Sequence, residues 1–175
     1  MVTCDVHIKP LTSKSFSEFG EVIETEGRKS YLINDGMCER YDHLAEIKTD
    51  HGEGKPIISI FRSNHYKFPI KLKLLEKHPK GSQAFMPLHN DPFLVIVATE
   101  FEGCPSNPQV FITNGYQGIN LYKNTWHGVL TPILKKCDFL VIDRTGETSN
   151  LIEFFLQKPM IIDTEFPINP SKTLA

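Results

Sequence analysis

The chain has 175 residues, of which 40% are hydrophobic and 23% charged, with a formal net charge of -2. That length carries one domain with a sizeable core and is short for two, and the near-neutral charge with no basic cluster gives nucleic acid or an anionic membrane nothing to hold. Apolar runs such as 93–98 are strand-length, well below the ~20 residues of a membrane helix. The start, Met1-Val2-Thr3-Cys4-Asp5, lacks the pattern of a secretory signal. Cys4, Cys38, Cys104 and Cys137 are widely and irregularly spaced, so four reduced thiols in a cytoplasmic protein are expected rather than a zinc ribbon or disulfide framework.

In chain order, a strand is predicted at 2–9, then a short helix capped by Thr12 or Ser13, with Phe16 and Phe19 on one face and Gly20 ending it. Short β-runs follow at 21–25, 30–33, 57–62, 70–78, 83–87 and 93–98. Further runs fall at 110–113, 118–122, 129–134, 139–143 and 151–156, separated by Pro, Gly and Asn. Segments 34–55 and 99–108 read as long loops, and the last dozen residues as an extended tail. Many short strands and almost no helical period make this an all-β sandwich or barrel in a single domain, 1–175.

Side chains alternate along a strand. Ile70, Leu72 and Leu74 thus share a predicted inner face with Glu76 and His78, while Lys71, Lys73 and Lys77 line the outer one. Ile58 and Ile60 likewise share a predicted inner face with Arg62, which is expected to converge on one pocket with Glu76, His78, Gln83 and His127 and whose planar, permanently charged fork suits a carboxylate. Pattern alone leaves a rim salt bridge equally open for this arginine. Asn114-Gly115 is a hairpin turn signal. The single tryptophan, Trp126, precedes His127, and an aromatic neighbour can hold an imidazole and tune its pKa for acid–base work.

Taken together, these segments resemble the ureidoglycolate lyase family. The resemblance rests on Glu39-Arg40-Tyr41, on Leu75-Glu76-Lys77-His78-Pro79-x-Gly81-Ser82-Gln83-Ala84-Phe85-x-Pro87, and on Phe111-Ile112-Thr113-Asn114-Gly115-x-Gln117-Gly118-x-Asn120. Trp126-His127, Ile142-Asp143-Arg144 and the earlier Phe16-x-x-Phe19-Gly20-x-Val22-Ile23 complete it. Residues beyond Asn150 carry no matching motif. The resemblance implies a cupin-type β-barrel (a double-stranded β-helix) with one or two short helices, usually a homodimer. It also implies cleavage of (S)-ureidoglycolate to glyoxylate and urea in allantoin breakdown.

Aligned with the cupin motifs, Glu76, His78, Gln83 and His127 stand where four metal ligands usually do. Glu76 replaces a histidine and Gln83 a carboxylate, and a neutral amide weakens a transition-metal site. At most a weakly bound divalent metal is expected, on Glu76, His78, Gln83 and His127. Elimination of urea needs a base for the hydroxyl proton and an acid for the departing nitrogen. The candidates are Glu76, His78 and His127 for proton transfer, Arg62 and Arg40 for the substrate carboxylate, and Gln83 with Asn120 for the ureido group. Two other readings are a metal-dependent cupin isomerase or dioxygenase acting on a small acid, and a non-catalytic small-acid-binding cupin.

Overall fold

The computed structural model describes residues 7–50 and 54–163. Most of the strand expected at 2–9, Cys4, and the expected tail therefore lie outside the described residues. In chain order the elements are β1 (Ile8–Pro10), α1 (Ser13–Phe16), β2 (Gly20–Ile23), β3 (Tyr31–Ile33), β4 (Cys38–Arg40), β5 (Lys55–Ser63), β6 (Ile70–Lys77) and β7 (Gln83–Pro87). They continue with β8 (Phe93–Phe101), β9 (Cys104–Ile112), β10 (Gly118–Leu121), β11 (Trp126–His127), β12 (Thr131–Pro132), β13 (Cys137–Thr145) and β14 (Ile152–Ile162). Thr12 caps the helix by accepting from the Ser15 amide at 3.1 Å. Gly20 follows because a Cβ there would fall 2.2 Å from the Asn120 carbonyl oxygen on β10.

The strands form a curled cupin-type β-barrel. One sheet runs β1-β9-β8-β11-β6-β14, with β12 also on β8. The other runs β2-β10-β7-β13-β5. The main core lies between them, where Phe93, Val95, Val97 and Phe111 meet Val22, Phe85, Ile119, Leu121, Phe139 and Val141. A second cluster contains Leu94, Ile96 and Ala98 together with Leu72, Leu75, Trp126, Met160 and Ile162. Both faces of β8 are therefore buried, which accounts for its uninterrupted apolar run. Each fully buried aliphatic or aromatic side chain contributes ~1.5–3 kcal/mol.

Segment 99–108 is not a loop. β8 and β9 continue as a hairpin, with Glu102 at φ 50° and Gly103 at φ 77° in the turn. The prolines that disguise it, Pro105 and Pro108, precede the stretch of β9, Val110 to Ile112, that pairs with β1, and among the described residues they face no strand on that side. Within 34–55, Cys38 to Arg40 turn back on Tyr31 to Ile33 through Asn34, Asp35 and Gly36, all at positive φ.

Alternation fails in two places. Leu72 and Leu75, three residues apart, pack in the same cluster, so β6 changes phase between them and Glu76 does not continue the face of Ile70 and Leu72. On β5, Ile58 and Ile60 are 73% and 56% exposed. The inward face of that strand is instead Ser59, Phe61 and Ser63, opposite Val141, Phe139 and Cys137 of β13.

Candidate functional site

At one end of the barrel, three side chains converge. Glu76, next to last in β6, pairs in register with His127 of β11, and His78 follows directly after β6. A ligand-type atom from each of Glu76, His78 and His127 lies within 4.8 Å of the others. The two imidazoles face each other with centroids 5.3 Å apart and planes tilted by 33°. Glu76 Oε1 is 3.9 Å from His127 Nδ1.

The backbone fixes both tautomers. His78 Nδ1 lies 2.6 Å from the Asn150 carbonyl oxygen and His127 Nδ1 lies 3.0 Å from that of Gly128. A carbonyl only accepts, so both Nδ1 atoms carry the hydrogen and both Nε2 atoms keep a lone pair. Neither Nε2 has a hydrogen-bond partner among the described residues, and both are buried. Asn150 also accepts the Lys80 amide on its side-chain oxygen at 2.6 Å, tying the strand end to the following turn.

Burial sets the electrostatics. His127 is 4% exposed. Its pKa is depressed to about 4, chiefly by loss of solvent and further by the nearby His78, so it is neutral at physiological pH. Trp126 does not do this. It points to the opposite face of β11, into the second cluster, where Glu100 accepts its indole hydrogen at 2.9 Å and Lys77 lies 4.6 Å over its ring. Burial also raises Glu76 above the ordinary carboxylate range, with His78 opposing.

Gln83 opens β7 and is buried. It hydrogen-bonds Asp143 of β13, which shares the inward face of Phe139 and Val141. Burial raises the pKa of Asp143 too, opposed first by His78 and then by the Gln83 hydrogen bond. The sequence reading missed Asp143 as a site residue, although the spacing Phe139, Val141, Asp143 already put it on the core face.

Three other expected site residues are not part of this cluster. Arg62, on the exposed face of Ile58 and Ile60, forms a bidentate pair with Asp138 at 2.7 and 2.8 Å. Asp138 stands five residues before Asp143 on β13 and on the other face, roughly 16 Å away along the strand. Arg40 is exposed beside Asp42 and over the Tyr31 ring. Asn120 is fully buried, but its amide donates to Glu21 at 2.8 Å and to the Glu46 carbonyl at 3.0 Å. It alternates with Ile119 and Leu121, so it faces away from the core. The expectation that Arg62 meets His78, and that Asn120 meets Gln83, is corrected accordingly.

The arrangement offers a buried carboxylate of raised basicity, two imidazole lone pairs and a Gln83–Asp143 pair. It can transfer protons to and from a small ligand, and Glu76, His78 and His127 together suit a divalent ion. Comparison with known proteins agrees in extent with this architecture. The profile described as ureidoglycolate lyase matches residues 3–163. A protein named ureidoglycolate lyase from Chelativorans sp. is 48% identical over 151 residues, covering 86% of this chain and 92% of its own. Ureidoglycolate lyase 2 of Rhizobium meliloti is 44% identical over 156 residues, 89% of this chain and 96% of its own. The ureidoglycolate lyase of Brucella anthropi is 44% identical over 165 residues, 94% of this chain and 95% of its own.

Proposed function

This chain belongs to the ureidoglycolate lyase family, and from that premise we propose that it cleaves (S)-ureidoglycolate to glyoxylate and urea at the Glu76, His78 and His127 cluster. The observation that carries the site is the meeting of these three residues with both imidazole Nε2 atoms unpartnered. The substrate is a carbinolamide: one carbon bears a carboxylate, a hydroxyl and the ureido nitrogen. Loss of the hydroxyl proton lets the C–N electron pair leave with nitrogen, which must be protonated, and no water enters the cleaved bond.

Glu76, made more basic by burial, is the base for the hydroxyl. His78, its Nδ1–H anchored on Asn150, takes up at its Nε2 lone pair the proton that Glu76 removes and passes it to the leaving nitrogen. His127 is too weak a base to store a proton and acts through its Nε2 lone pair as a fixed acceptor. A divalent ion fits the two lone pairs and the Glu76 carboxylate. When bound, it would supply positive charge to the hydroxyl and carboxylate oxygens. Beyond these three residues Gln83 offers only a neutral amide oxygen in place of a carboxylate, and weak binding follows.

The setting is allantoin breakdown in the cytoplasm, and the assembly is a homodimer. The exposed apolar band of Ile58 and Ile60 on edge strand β5 supports pairing of two copies. Light scattering at micromolar concentration is expected to give twice the chain mass, and a monomer mass would count against the dimer. The reaction itself is tested by proton and carbon NMR of products. Glyoxylate and urea in equal amounts are expected, whereas ammonia and carbon dioxide in place of urea would reject it.

A further inference from the structure

Four buried acceptor atoms in this end of the barrel have no hydrogen-bond donor among the described residues: Nε2 of His78 and of His127, Oε1 of Gln83 and Oδ1 of Asp143. Two of them, on Gln83 and Asp143, belong to one bonded pair. A carboxylate cannot donate, so the Gln83 amide nitrogen must face Asp143, and the Gln83 carbonyl oxygen is turned away from it. Gln83 is 7% exposed, and a buried acceptor left unmade costs stability. Two empty acceptors on one bonded pair call for a ligand group with more than one N–H donor. Of the groups on the substrate, the carboxylate has no donor and the hydroxyl has one. The ureido group has three N–H bonds in one plane.

We propose that Asp143, together with Gln83, is the ureido-binding subsite, and that it selects N-carbamoyl acids over N-acyl acids of the same shape. The inference rests on the lyase reading and adds a specificity-determining residue to it. Asp143 lies close enough to His78 for their charges to interact, so a ureido group held on Asp143 is on the His78 side of the barrel. A site built around hydrogen bonds to N–H rejects an analogue lacking them far more strongly than an apolar pocket rejects a missing methyl group.

The test uses two inert ligands that differ only by an amino group against a methyl group: N-carbamoylglycine and N-acetylglycine. Their dissociation constants are measured by calorimetry on the wild-type protein and on Asp143→Leu, a near-isosteric change without an acceptor. The wild type is expected to bind N-carbamoylglycine at least ~10-fold more tightly. The variant is expected to lose that preference while its affinity for N-acetylglycine moves by less than about threefold. Equal wild-type affinities would overturn the subsite even if the variant does not fold, and so would a preference retained in the variant. Because binding is read without turnover, failure here is separate from failure of the product analysis.

Discussion

At one end of the barrel Glu76, His78 and His127 come together. At the other, His89, just past β7, joins Asp91 and Cys137, the first residue of β13, and these three also place ligand-type atoms within 4.8 Å of one another. The residue types are similar, but the backbone prepares them oppositely. His78 and His127 donate their Nδ1 hydrogens to carbonyls and keep Nε2 lone pairs inward. His89 accepts the Asp91 amide at Nδ1, at 3.1 Å, so in its neutral form the hydrogen sits on Nε2 and no lone pair remains there. Asp91 is paired with Lys135 at 2.9 Å. The Cys137 thiol donates to the Lys135 carbonyl, and burial pushes its pKa up. His89 itself rests edge-on against Phe139 at 4.8 Å. His89 Nε2 is also buried without a partner, but what it turns inward is an N–H, whereas the first set turns two lone pairs inward. The partner on each histidine's other nitrogen makes the distinction, not the count of ligand-type residues.

The comparison is broken most forcefully by removing one histidine from each end. His78→Ala is expected to lower kcat by ~10²–10⁴-fold, the usual range for a lost general acid or base. His89→Ala is expected to leave kcat within a few fold and to lower thermal stability instead. Steady-state kinetics with melting curves on both variants reads this directly, and a large kcat loss confined to His89→Ala would reverse the assignment.

The next effect is acid sensitivity. His127 has a folded pKa of about 4 against an ordinary 6.5, so the unfolded chain binds its proton first as pH falls. Stability is therefore full above about pH 6.5 and is lost between there and about pH 4, by ~3 kcal/mol in total. Urea denaturation of chelator-treated protein across that range should show the slope, and His127→Gln should flatten it. An unchanged slope in the variant would place the acid sensitivity elsewhere.

Metal binding sharpens the contrast further. A divalent ion titrated into chelator-treated protein should bind weakly and be removed again by dialysis against chelator. Binding should be abolished by His127→Ala and untouched by His89→Ala. The smallest expected effect belongs to Arg62→Ala. Its pair with Asp138 lies on an exposed face, where such pairs contribute little, and KM should change by less than about twofold. A tenfold rise in KM would restore Arg62 as the carboxylate partner.

Much of the fold was legible because turn residues punctuate it, and the family blocks picked out Glu76, His78, Gln83 and His127. What was lost was the direction in which faces point. Ile58 and Ile60 read as inward because apolar alternation looks the same whether it faces a core or an exposed sheet face. Only the pairing of β5 with β13 shows Ser59 and Phe61 inside. Glu76 was assigned to the interior by extending Ile70 and Leu72 through a phase break that leaves no mark in sequence. Asn120 lies in a family block, yet its amide is spent on Glu21 and Glu46, brought in from a distant loop. Asp143 was the opposite case: its strand phase was plain, but one acid at a strand end carries no signal until Gln83 is seen beside it.

The two ends of the barrel differ in how three imidazoles are turned, and nitrogen-15 NMR of the histidine side chains reads that directly. With glyoxylate added, His78 and His127 should each show the hydrogen on Nδ1 and a ligand-dependent shift at Nε2. His89 should show the hydrogen on Nε2 and no response. If His89 shared the tautomer and the ligand response of the other two, or if His78 carried its hydrogen on Nε2 in the neutral ring, the distinction between the two ends would be contradicted.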